Sequence, residues 1–122
     1  MAKFCLWNEN PQGDKRNDCV TRAITFASGV EYAQVRKKLR HTARLLDCEK
    51  LCPTCYSFLI QEVLGGIPKN CDGLTVGDFA DINSKGTYLI RIQGHLTAVK
   101  DDCVYDIWDC RSRYCDLAWK MP

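Results

Sequence analysis

Apolar residues recur at helical spacing through the first half of the chain and then give way to short alternating runs. After Cys19, the residues Val20, Ala23, Ile24 and Ala27 share one face of a helix, with Asp18 placed as its N-cap and Gly29 as its stop. A second helix is predicted from Glu31 to Leu46. It turns Tyr32, Val35, Leu39 and Ala43 inward and carries Arg36, Lys37, Arg40 and Arg44 on its other faces. A third runs from Thr54 to Leu64, closed by Gly65 and Gly66, and Pro68 rules out its continuation. The stretch "LTVGDFADI" gives one further helical turn. Residues 1–18, polar and holding Pro11 and Gly13, read as an extended arm or loop.

From residue 86 the pattern changes. "GTYLIRIQG" (86–94), "HLTAVKD" (95–101), "CVYDIWD" (103–109) and "RYCDLAWKM" (113–121) are short, β-branched or aromatic, and partly alternating. In the last of these, Cys115, Leu117, Trp119 and Met121 fall on one face. Helices followed by an antiparallel meander make an α+β domain, with N-terminal helices (about 19–66) packed on a C-terminal antiparallel β-sheet (about 86–121). With no repeat, linker or low-complexity stretch, residues 1–122 read as a single domain.

The register of one hairpin can be worked out. If Asp101 and Asp102 are its two turn residues, Lys100 faces Cys103, Val99 faces Val104, Thr97 faces Asp106 and His95 faces Trp108. Alternation then sets His95, Thr97, Asp106 and Trp108 on one side. Leu96, Ala98, Tyr105 and Ile107 lie on the other, a consistent core face. Asp106 becomes the diagonal neighbour of His95, about 7–8 Å away between backbones. A slip of one residue would set Asp109 opposite His95 instead.

Composition adds limits. An apolar fraction of 46%, a charged fraction of 26% and a net charge of +2 are those of an ordinary globular protein and select no partner. The one basic cluster, "RKKLRHTAR" (36–44), has no interleaved aromatic platform, so it reads as a solvated helix face and not as a nucleic-acid site. No apolar run reaches the roughly 18 residues of a membrane span, and the N-terminus lacks a signal peptide's apolar centre. A cytoplasmic protein is expected, and its nine cysteines, an odd number, are then free thiols.

Among the nine, Cys19 is placed to react. A thiolate is the nucleophile, and unpaired N–H groups at a helix N-terminus and a neighbouring histidine both raise the thiolate fraction. Of the two histidines, His41 lies in the basic helix and reads as surface, whereas His95 opens a strand directly after Gly94. A carboxylate would hold its imidazole in one tautomer, and Asp106 and Asp109 are the candidates.

Cysteine at the start of the first long helix, histidine at the start of a late strand and Asp on the next strand resembles the papain-like cysteine peptidase superfamily. "NDCVTRAI" and "GHLTAVKDDCVYDIWD" are most similar to its small bacterial and phage-borne members, such as bacteriocin-leader peptidases and NlpC-type amidases. The resemblance implies a papain-like fold and thiol-dependent hydrolysis of an amide, isopeptide or related acyl bond in a protein or peptide substrate. Cys19 would be the nucleophile, His95 the base and then acid, and Asp106 or Asp109 the orienting group. It needs no cofactor. The family also places a Gln shortly before the cysteine to complete the oxyanion hole. Position 13 here is Gly, and the nearest amides are Gln12 and Asn17.

Two other readings carry different expectations. A papain-like protein without activity would bind a host protein on behalf of a phage or mobile element. A zinc-stabilised module would use "DCEKLCPTC", whose Cys48, Cys52 and Cys55 have metal-ligand spacing, with Cys71 or His41 as fourth ligand.

Overall fold

The computed structural model describes residues 2–13 and 17–122, so Met1 and residues 14–16 of the expected N-terminal arm lie outside the described residues. The elements run β1 (Lys3–Leu6), α1 (Cys19–Ser28), α2 (Tyr32–Leu46), α3 (Pro53–Phe58) continuing into a π-helical turn (Leu59–Val63), β2 (Ile67–Lys69), α4 (Val76–Ile82), β3 (Thr87–Ile92), β4 (His95–Lys100), β5 (Cys103–Asp106) and β6 (Leu117–Lys120). The class is α+β, with one six-stranded mixed sheet in the order β1-β5-β4-β3-β6-β2.

The expected meander holds only for β3, β4 and β5. After β5 the chain crosses back, so that β6 pairs with β3 on its far side and β2 pairs with β6 at that edge. At the other edge, β1 lies parallel to β5, which makes the sheet mixed and not antiparallel.

The β4–β5 hairpin adopts the register reasoned above, with Ala98 opposite Tyr105, Val99 opposite Val104 and Lys100 opposite Cys103. Its turn residues Asp101 and Asp102 have φ of 47° and 67°, the left-handed pair that matches the twist of a two-residue hairpin. The single apolar face does not hold, because both faces of the sheet are covered. Leu89, Leu96, Ala98 and Trp119 pack under α1, α2 and α3. Tyr88, Ile90, Val99, Val104 and Ala118 pack on the other side with Phe79 of α4. Strict alternation along the strands therefore feeds two cores. Cys115 joins the second core while Trp119 and Met121 join the first, and Leu117 is exposed, so those four residues do not form one buried stripe.

Helix α1 is buried on nearly every side, at Val20 through Thr25, because the sheet and α2 both pack on it. Gly29 ends it at φ 74°, donating its N–H to the Thr25 carbonyl at 3.0 Å. Asp18 occupies the N-cap position without capping, because its carboxylate is taken by other partners described below. Helix α2 buries Val35 and Leu39 and exposes Arg36, Lys37, Arg40, His41 and Arg44, as its periodicity requires. The buried Trp119 satisfies its indole N–H on Gln61 Oε1 at 2.9 Å. No helix among the described residues is long and apolar enough to cross a membrane.

Candidate active site

The β4–β5 ladder ends at Ala98–Tyr105, which leaves His95 to Thr97 and Asp106 beyond the paired part of the hairpin. The N-terminal turn of α1 packs against this end of the sheet. His95 gets there through the two-residue turn at Gln93 and Gly94, where Gly94 adopts φ 73°, a left-handed angle that favours glycine.

Three side chains predicted from the sequence meet here. His95 Nε2 lies 2.6 Å from Asp106 Oδ2, and the half-buried thiol of Cys19 sits beside the same imidazole, close enough to be lowered by it. Because Nε2 is held by Asp106, Nδ1 is the nitrogen left for Cys19. Asp109 is elsewhere: it forms a half-exposed fork with Arg111, at 2.7 and 2.8 Å, and does not approach His95. Of the oxyanion candidates, Asn17 lines the cleft beside Cys19 and His95. Gln12 sits exposed on a turn whose N–H is tied to Asn10 Oδ1, and it does not line that cleft.

Charge is distributed to favour a thiolate–imidazolium pair. Burial pushes the Cys19 thiol up, but the hydrogen bond from His95, the Leu96 N–H and the positive charges of His95 and Arg22 outweigh it and bring it below its ordinary value. Burial likewise works against a charged His95, yet the hydrogen bonds to Asp106 and Cys19 raise it from 6.5 to about 9. Asp106 is held below the usual carboxylate range despite its burial, chiefly by His95, with the Ile107 N–H donating to Oδ1 at 2.7 Å. The N–H groups of Cys19, Val20 and Thr21 precede Arg22, the first residue to bond four residues back, so they have no such partner within the helix.

Sequence reasoning missed what stands behind this trio. Arg22, buried and the sole charged residue of α1, forms an ion pair with Asp18 and lies 3.7 Å from Asp106 Oδ1. Asp18 in turn accepts from Tyr32 Oη of α2 at 2.5 Å and from Asn10 Nδ2 at 3.1 Å. The signal was present: a lone cation one turn from Cys19, on a helix otherwise without charge, has to find a buried partner. Trp108 closes the outer side of His95 edge-on, with ring centroids 5.0 Å apart, and is itself stacked by Arg113.

The thiols on which the alternative zinc reading rests are only loosely gathered. Cys48 is in contact with both Cys52 and Cys55, while Cys55 is buried, directs its thiol to the Leu39 carbonyl and is pushed up to about 12 by burial. Of the proposed fourth ligands, Cys71 belongs to the core on the opposite face of the sheet and His41 is exposed on α2. Among the described residues, three ligand atoms come within 4.8 Å of one another at His95, Asp106 and Cys110. There His95 and Asp106 already bond each other, and burial pushes the Cys110 thiol up to about 12.

Comparison with known protein families, characterised proteins and solved structures finds no match to this chain.

Proposed function

We propose that this chain is a papain-like thiol hydrolase that cleaves an amide, isopeptide or related acyl bond through Cys19, His95 and Asp106. The observation that carries the reading is the meeting of Cys19, His95 and Asp106 at one end of the sheet, with His95 Nε2 held by Asp106 and the Cys19 thiol lowered by the same imidazole. The α1 helix bearing the cysteine, packed on the sheet that bears the histidine and the carboxylate, is the layout the family resemblance implies.

The Cys19 thiolate attacks the acyl carbon, and the oxyanion that develops is met by the Cys19 N–H, with Asn17, which lines the same cleft, as a side-chain donor. His95 protonates the departing amine as the C–N bond breaks and leaves an acyl-thioester on Cys19. The now neutral imidazole takes a proton from water, which attacks the thioester. The thiolate leaves, and His95 is again protonated. Asp106 keeps Nε2 protonated throughout, so Nδ1 always faces the reacting sulfur.

Alkylation of the whole protein with iodoacetamide, read by peptide mapping, tests this. At about pH 6, where ordinary thiols are slow, Cys19 should be labelled well ahead of the other eight, and His95→Ala should remove that lead. Uniform labelling of all nine would overturn the reading.

A further inference from the structure

The cleft beside Cys19 and His95, about 190 Å³, does not end at the catalytic residues. It shares Asn17 and Leu51 with a second cavity of about 130 Å³ that runs between α1 and α2. The charges along the two adjoining halves of this groove differ in one respect. In the near half, Arg91 is paired with Asp116 and lies beside the Tyr56 phenol, so its charge is compensated. In the far half, Asp18 is spent on Arg22, Tyr32 and Asn10. Arg36 and Lys50 line the same far half, are exposed, and make no ion pair with any described residue. Among the described residues, the groove's uncompensated charges are therefore both positive, and both lie on the Leu51 side of the nucleophile.

From this placement we infer that the acyl substrate is an acidic polypeptide, with carboxylate side chains displaced from the scissile bond and bound near Arg36 and Lys50. This rests on the hydrolase reading above and adds its substrate class. Two exposed cations at a groove wall raise the local concentration of a negatively charged chain and are screened by salt. The apolar walls at Leu51 and Pro53 and the donors at Arg91 and Asn17 serve the backbone nearer to Cys19.

The test uses epoxide-bearing peptides with two Glu, two Gln or two Lys residues on either side of the reactive carbon. The Cys19 thiolate opens the epoxide: a C–S bond forms, a C–O bond breaks, and the oxygen takes the His95 proton. At low salt the Glu peptides should label Cys19 at least about tenfold faster than the Gln peptides, with Lys slowest. That order should flatten in about 0.5 M salt. It should also flatten in an Arg36→Gln/Lys50→Gln double variant whose iodoacetamide labelling of Cys19 is unchanged. Equal rates for the three charges, or an acidic preference that survives in the double variant, would overturn the inference. If iodoacetamide does not single out Cys19 at all, the hydrolase reading itself fails, and the substrate class with it.

Discussion

Replacing Asp106 by Asn separates the two aspartates and puts a magnitude on the triad. His95 stands at about 9 against an ordinary 6.5, with Asp106 first among the groups that raise it. That rise corresponds to roughly 3 kcal/mol favouring the imidazolium. Asn keeps an acceptor for Nε2–H but loses the charge, so only part of this should disappear. Burial then acts against a weaker counterweight, Cys19 and a neutral acceptor, and His95 moves back toward 6.5. Because the folded value is raised, this stabilisation is complete below pH 6.5 and fades as pH climbs through about 9. Asp106→Asn should therefore cost most stability at mildly acidic pH and little at alkaline pH. The thiolate loses its cation over the same window. The assay is the pH dependence of Cys19 alkylation, with thermal melts across the same range. Labelling at about pH 6 should fall between about tenfold and about a hundredfold, and converge with the unaltered protein as pH rises above 9. Asp109→Asn removes only a half-exposed pair with Arg111 and should shift stability by less than about 1 kcal/mol, leaving Cys19 reactivity untouched. An unchanged profile for Asp106→Asn, or an equal loss in Asp109→Asn, would refute the argument.

Other outcomes follow from the same geometry. Arg22→Met strands Asp18 beside a buried apolar wall and should lower stability by about 3–5 kcal/mol in chemical denaturation, whereas Arg22→Lys should recover part of it. Tyr32→Phe deletes the 2.5 Å hydrogen bond to Asp18 and should cost about 1–2 kcal/mol with little change in the pH profile of Cys19 labelling. A strong chelator should leave the melting temperature nearly unchanged. Loss of a tightly held zinc together with the fold would instead make Cys48, Cys52 and Cys55 structural ligands.

What could be read from the sequence was whatever local chemistry dictates. The 95–106 hairpin was legible because two aspartates that tolerate left-handed backbone stand between strands of strict alternation. Register then followed, and with it the choice of Asp106. Edge strands β1 and β2 were not legible. Lys3–Leu6 and Ile67–Lys69 are too short and too exposed to show a buried face, and they are strands only because distant residues, Cys103–Asp106 and Leu117–Lys120, offer open edges. Alternation marked β6 as a strand but could not say which neighbour it would choose. In the site, the residues with their own chemistry stood out, while Arg22 and Asp18 act only through tertiary contacts that no spacing encodes, apart from their separation by one helical turn.

A Cys19 thiolate depends most on the protonation state of His95, and histidine NMR of the intact protein reads it directly, with His41→Gln assigning the two imidazoles. A cationic imidazole at about pH 7.5, with Nε2–H in a strong hydrogen bond and a titration midpoint near 9, is the predicted result. A neutral His95 at that pH, with a midpoint at or below 6.5, would contradict a Cys19 thiolate held by His95 and Asp106.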